Sequence, residues 1–276
     1  MTRVIEALPA GRFRAILPLD EEAGGTFPII RAVLEGTQPG RVFADPESKT
    51  AFVVNRFGFA RLLEADGRGE HDAQVAALLT ASCPDLPSYI LWYDPPARWQ
   101  ARLDASGEKV RRRERLRFAF RREQAHYLTG ALSCPEGFSI RAMNPALLER
   151  ADKFDLDLGG RFWPSAQAFL GGALGMCVVR DEDGEIASLC YAAAVGGGSG
   201  EIDVVTDPRF RGLGLGTLAG QAFVRRCADE GVVPAWDCFT YNEGSVKLAG
   251  KLGFVPDALY AFYSFNIPVA LADTSR

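Results

Sequence analysis

Thr206-Asp207-Pro208-Arg209-Phe210-Arg211-Gly212-Leu213-Gly214-Leu215-Gly216-Thr217-Leu218-Ala219-Gly220 (TDPRFRGLGLGTLAG) sets four glycines behind two arginines. A strand reads up to Thr206 and a helix reads from Gly214. A plain turn accounts for one glycine at such a junction, not for several in alternation. A dinucleotide fold accounts for Gly214, Gly216 and Ala219 as G-x-G-x-x-A, with Asp237 about 20 residues on. That fold, however, puts its glycines directly after the strand, and here Asp207 to Arg211 intervene. The chain beyond the turn also has room for only two further strands. No G-x-x-x-x-G-K-[ST] is present, which excludes a P-loop. The remaining reading uses every residue. Main-chain N–H groups from Gly212 to Thr217 converge at a helix N-terminus, a concavity that suits a pyrophosphate. Arg209 and Arg211 add full positive charge, and an extended arm of the same ligand would run along Val204 to Thr206.

The rest of the composition bounds the function class. The 276 residues are 47% hydrophobic and 24% charged, with a net charge of −4. An acidic balance disfavours a general nucleic-acid binder, because phosphate backbones reward excess Lys and Arg. Six cysteines (Cys83, Cys134, Cys177, Cys190, Cys227, Cys238) are scattered without a CxxC pair, so they suggest reduced thiols and not a zinc or disulfide framework. Only His71 and His126 are available, so histidine-rich metal sites lose ground. The N-terminal apolar run breaks too soon for a signal peptide. The longest apolar stretch, near Ile186 to Val195, falls short of the roughly 20 residues that span a bilayer. A cytoplasmic protein with no metal, no nucleic acid and no membrane partner is expected.

Patterning divides the chain near residues 125–137. Before that point, strands read at Arg41 to Asp45, Ala51 to Asn55 and Tyr89 to Trp92, and helices at Asp72 to Thr80 and Trp99 to Leu103. Arg111 to Arg122 alternates arginines with Leu116, Phe118 and Phe120, the pattern of a half-buried strand. Its arginines read either as a solvated face or as a dock for an anionic partner. After the division, Phe138 to Ala142 reads as a strand and Pro145 to Phe154 as a helix capped by Asn144. A second helix follows at Ser165 to Leu170. Cys177 to Arg180 and Ile186 to Ala192 form a hairpin about Asp183-Gly184. Then come a strand (Glu201 to Thr206), the long helix (Gly214 to Glu230, stopped by Gly231), a strand (Ala235 to Thr240), a helix (Ser245 to Lys251) and a strand (Leu259 to Asn266). This is mixed α/β, without a regular βαβ repeat.

The glycine-rich stretch resembles the acetyl-CoA signature of the GNAT N-acetyltransferase superfamily. That signature is an Arg or Gln, two residues, Gly, one residue, then Gly or Ala, met here by Arg211, Gly214 and Gly216. Pro234 to Phe254 (PAWDCFTYNEGSVKLAGKLGF) resembles the strand and helix that follow in the family, with Asn242, Ser245, Leu248 and Leu252-Gly253-Phe254. Trp236-Asp237-Cys238 and Ser245 to Ala249 are similar to the branch of zwittermicin-resistance-like acetyltransferases, whose chains carry an additional N-terminal domain. The resemblance implies an α/β (α+β) GNAT fold with a mixed, splayed central sheet over residues 131–276. Residues 1–130 would form a smaller α/β domain, for which a degenerate, non-catalytic GNAT-like copy, a lid and a dimer surface all stay open.

It also implies a site. Acetyl-CoA would be held by Val204, Val205, Thr206, Arg209, Arg211, Gly212, Leu213, Gly214, Leu215, Gly216, Thr217, Asn242 and Ser245. An amine would attack the thioester directly, through a tetrahedral oxyanion, with no covalent enzyme intermediate; Cys238 reads as a small hydrophobe. Glu201 and Asp203, two apart on one strand, share a face, and one of them, with Glu201 preferred, would take the amine's proton through water. The family's leaving-group tyrosine is replaced by Ala249, so Tyr260, Tyr263, Tyr241 or water would serve, with Tyr260 preferred. Phe162 and Trp163 read as walls of an acceptor pocket or as core aromatics. The activity implied is acetyl transfer from acetyl-CoA to a primary amine, of a small molecule. The alternatives are a catalytically silent acyl-CoA-binding module and a protein-modifying acetyltransferase.

Overall fold

Strand and helix patterns run through this chain twice in the same order. The computed structural model describes residues 5–45, 47, 49–81 and 83–271. The chain divides into two units, Met1–Arg115 with Leu259–Arg276, and Leu116–Ala258. The boundary therefore falls at Leu116, not near residue 130, and the last strand returns to the first unit.

The first unit opens with β1 (Glu6–Ala7), a 3-10 turn at Ala10–Ile16, α1 (Leu17–Glu22) and α2 (Pro28–Glu35). Next come β2 (Gly40–Ala44), β3 (Thr50–Asn55), β4 (Phe59–Glu64), α3 (Asp72–Thr80), β5 (Tyr89–Tyr93), α4 (Ala97–Asp104) and β6 (Val110–Phe120). Its sheet runs β1-β2-β3-β4-β5-β12, where β12 is Phe254–Asn266. Among the described residues of this sheet only the β4–β5 ladder is parallel, with rungs Phe59↔Leu91 and Ala60↔Trp92. β12 pairs antiparallel with β5 over Phe262 to Asn266. Phe52, Leu79, Trp92, Trp99, Tyr263 and Phe265 form the centre of this core.

The second unit contains β7 (Phe138–Ala142), α5 (Pro145–Arg150), α6 (Ala166–Gly172), β8 (Met176–Arg180), β9 (Ile186–Gly196) and β10 (Ser199–Thr206). It continues with α7 (Leu215–Asp229), β11 (Val233–Phe239) and α8 (Glu243–Lys251). The order is β6-β11-β10-β9-β8-β7. Asn144 and Ser165 cap α5 and α6 by accepting from Leu147 N and Ala168 N, which is why those helices start where they do. α7 buries a stripe of Leu215, Leu218, Ala219, Ala222, Phe223 and Cys227, the period of one helix face. The long helix thereby has a fixed orientation on the sheet, with its N-terminus beside the end of β10.

Counted along the chain, each half reads β-α-α-β-β-β-α-β-α-β. The strand beside β5 comes from the end of the second half, and the strand beside β11 from the end of the first.

Candidate active site

The four glycines of the turn do two different jobs. Gly212 and Gly214 have φ of 82° and 78°, left-handed values that favour glycine, and a Cβ at either would stand in open space. Gly216 is helical. A Cβ there would lie 2.9 Å from Thr206 Oγ1, so this glycine lets the helix start close on β10. A Cβ at Gly220 would lie 2.6 Å from Leu252 Cδ1, so this glycine is set by packing against α8. Thr206 is itself fixed, because Ser188 Oγ donates to Val205 O (3.0 Å) and so accepts from Thr206 Oγ1 (2.8 Å).

A cleft of about 370 Å³ opens at the turn. The loop and helix start contribute Phe210, Arg211, Gly212, Gly214, Leu215, Gly216 and Thr217, β10 contributes Thr206, and α8 contributes Gly244, Lys247, Leu248 and Lys251. Among the described residues its lining holds three cations, Arg211, Lys247 and Lys251, together with the glycine turn and the first residues of α7, and no carboxylate. Lys247 pairs with Glu243 (3.0 Å), one turn back on its own helix.

Beyond the cleft the sheet opens. β9 follows β10 as far as Thr206↔Ser188, whereas the parallel β10–β11 ladder ends after three rungs at Glu201↔Ala235. The β9–β10 register also shifts between Glu201 and Ile202. Glu201 and Asp203 share one face of β10, and Ile202 and Val204 pack against the core on the other. Tyr191 OH donates to Asp203 Oδ2 at 2.7 Å. Tyr191 is buried, edge-on to Phe169 at 5.6 Å. Burial, reinforced by the Asp203 charge, pushes its phenol well above the ordinary value, so it stays a donor.

The other residues singled out from the sequence are placed as follows. Arg209 turns to Asp207 (Nε–Oδ1 3.1 Å, Nη2–Oδ2 2.7 Å) and to Glu185. Lys153 joins it on Asp207 (2.9 Å) and Glu185 (3.1 Å). Asp207 also accepts from Arg209 N (3.0 Å), so this group braces the turn before the glycines. Arg209 and Lys153 hold the Asp207 carboxyl well below the usual carboxylate range. Asn242 caps α8 through Ser245 N, and Ser245 Oγ accepts from Trp236 Nε1 (3.1 Å). Leu213 is exposed. Phe162 and Trp163 are buried, and Trp163 Nε1 donates to Ala192 O (3.2 Å). Cys238 and Ala249 sit in the second unit's core. Tyr260 and Tyr263 belong to the first unit, where Tyr260 OH accepts from Arg115 Nε (3.1 Å) and Tyr263 OH donates to Asp104 (2.8 Å). Tyr241, largely exposed and stacked on Phe239, is in the second unit. Glu201, Asp203 and the glycine turn all lie in that unit as well.

Sequence reasoning missed Gly244, Lys247, Lys251 and Tyr191 as site residues, and gave Leu248 only as part of the helix pattern. The α8 residues recur at intervals of three and four, one helix stripe, and two of them are lysines. That spacing, on the helix after a phosphate nest, was the available signal. Tyr191 carried no signal, because its role follows from a cross-strand pairing.

The donor set suits a diphosphate: main-chain N–H groups at open left-handed glycines, a helix N-terminus, Arg211, Lys247 and Lys251. Acetyl-CoA, a diphosphate with an extended arm, therefore fits the residues present. These parts, on a mixed sheet that opens beside them, suit a transferase that takes its group from an acyl-CoA. A sequence model described as GNAT acetyltransferase matches residues 23–263, and the chain belongs to that family of acetyltransferases. It is 23% identical over 264 residues to the uncharacterized N-acetyltransferase YdfB of Bacillus subtilis (strain 168), covering 94% of this chain and 98% of the relative. Its fold is similar to a GCN5-related N-acetyltransferase-like protein from Streptococcus suis 89/1591 (TM-score 0.68, 24% identity, 92% and 99% covered). It is also similar to a tandem GNAT protein from the clavulanic acid biosynthesis pathway (TM-score 0.67, 17% identity, 95% and 98% covered). Among the described residues no helix is long and apolar enough to cross a membrane, and no cluster of His, Cys, Asp or Glu could hold a metal.

Proposed function

We propose that the second unit transfers an acetyl group from acetyl-CoA to a primary amine of a small molecule. One observation carries the reading: the β10–β11 ladder ends at Glu201, beside the two carboxylates, while the phosphate-type cleft lies at the other end of the same strand. Acetyl-CoA would supply a thioester carbonyl for direct attack. Thr206, Arg211, Gly212 to Thr217, Lys247 and Lys251 would hold its phosphates, and the main chain of Val204 and Val205 would flank its arm. A primary amine arrives as a cation at neutral pH. Glu201 and Asp203 attract it, and one of them takes its proton. Tyr191 fixes the Asp203 carboxylate, whose rotation would otherwise be free. Arg209, Asn242 and Ser245 shape the site by bracing the turn and α8. Phe162 and Trp163 bound the acceptor side as rigid packed rings.

A small acceptor is favoured over a docked acidic protein because four of the five β6 arginines are engaged within the chain. Arg112 pairs with Asp104, Arg113 with Ser264, Arg115 with Tyr260 and Arg117 with Asp257, all at 3.1–3.2 Å. The test is coenzyme A thiol release across a panel of primary amines for the wild type, Glu201→Gln and Asp203→Asn. Removing the working base costs about 10²-fold at low pH. The deficit shrinks as pH rises, because the amine then loses its proton unaided. Undiminished turnover in both variants at every pH would remove the carboxylates from the mechanism. Tight coenzyme A binding with no thiol release from any amine would instead favour a silent module.

A further inference from the structure

We propose that the first unit contains a cofactor cradle of the same design, plugged by its own Arg98, so that the chain binds one coenzyme A and binds it in the second unit; the proposal rests on the acetyl-CoA reading of that unit. The two halves share their order of elements, so positions can be matched by counting. β4 ends at Glu64 and β10 at Thr206. Between β4 and α3 stand Gly67 and Gly69, with φ of 65° and 71°, five and three residues before the helix, and between β10 and α7 stand Gly212 and Gly214, three and one residues before it, so the loops share left-handed glycines but not their spacing. Three residues separate β5 from α4, and three separate β11 from α8. The second residue of each final helix is then Arg98 in one unit and Gly244 in the other.

That pair carries the difference. Gly244 lines the open cleft, and a Cβ there would meet nothing nearer than Asn242 Oδ1 at 3.7 Å. Arg98 instead folds onto the glycine loop. A Cβ on Gly69 would strike its Nε at 2.5 Å. Its Nη1 donates to Gly67 O (3.1 Å), its Nε to Asp72 Oδ2 (2.7 Å), and its Nη2 to Glu64 (2.6 and 2.7 Å) and to Asp72 Oδ1 (2.9 Å). Trp99 Nε1 adds a bond to Asp72 Oδ1 (2.7 Å). Asp72 opens α3 and supplies the negative charge that a helix N-terminus favours. An incoming diphosphate would meet two carboxylates and have to displace a guanidinium with every donor atom engaged. The reacting positions differ in the same sense. Counting back from the strand ends, Glu201 and Asp203 match Phe59 and Arg61, and Arg61 is buried on Ala23 O (2.9 Å) and Thr26 Oγ1 (3.1 Å).

The test titrates the full chain with coenzyme A by calorimetry and maps the complex by hydrogen–deuterium exchange. One equivalent per chain is expected, with protection confined to residues 206–217 and 244–251. Gly244→Arg, which places an arginine at the matching position of the second unit, should reduce one equivalent to none. Two equivalents, or protection at residues 64–72, overturn the proposal and leave the activity intact. No binding by the wild type overturns the acetyl-CoA reading and, with it, the single-site count. Exchange on the wild type decides the matter even if the arginine variant fails to fold.

Discussion

At the scale of single residues, neighbouring glycines should fail in different ways. Gly214→Ala forces a left-handed alanine, at about 1–2 kcal/mol, and distorts the amides that face the cleft. Acetyl-CoA affinity should fall about tenfold for that cost, as calorimetry would show. Gly220→Ala presses a methyl on buried Leu252 and should cost about 1–3 kcal/mol of stability. Its folded fraction should bind acetyl-CoA as the wild type does. Equal loss of affinity in both variants would contradict the division of labour between these glycines. Asp207 offers a pH test. Its carboxyl is held below the ordinary aspartate value of 3.8 by Arg209 and Lys153. A depressed native value stabilises the fold above that ordinary value and ceases to do so as pH falls through the native one. Asp207→Asn should therefore melt below the wild type at pH 7, and the two melting curves should converge as the solution is acidified below about pH 4.

At the scale of elements, α8 presents Lys247 and Lys251 to the cleft. Lys251→Glu should weaken acetyl-CoA binding about tenfold at low ionic strength and flatten its dependence on salt, because exposed charges act through a screened field. A salt dependence equal to the wild type's would detach α8 from the phosphates. The elements of the second unit were legible because local signals mark them: Asn144 as a cap, Asp183-Gly184 as a turn, Gly231 as a stop. In the first unit, β1, α1, α2 and β4 carry no such signal that the sequence analysis uses. β4 (Phe59–Glu64) buries both faces, Arg61 included, so the alternation that marks a half-exposed strand is absent. α2 does carry Pro28 at its first turn, a start signal. The cradle was legible from its glycines and Arg211, whereas Arg209 sits beside them in sequence but turns to Asp207 and Glu185. Sequence adjacency does not encode which way a long side chain turns.

At the scale of the whole molecule, the repeat was illegible because the matched positions hold opposite chemistry. Glu201 and Asp203 stand where Phe59 and Arg61 do, and Gly244 where Arg98 does, so conserved order survives without similar letters. The units also depend on distant parts of the chain. Phe265 and Tyr263 belong to the first unit's core, and β12 supplies the partner of β5. A fragment of residues 1–130 lacks that strand and should not fold alone. Near-UV circular dichroism and protease sensitivity would show it, and a cooperative melt from that fragment would refute the dependence. During synthesis this dependence becomes a matter of timing. β5 leaves the ribosome long before Phe262 to Asn266, so its open side must wait through translation of the entire second unit. A nascent strand with no neighbour on one side is a template for any other extended chain, which makes the growing polypeptide, more than the finished enzyme, the natural client of a chaperone.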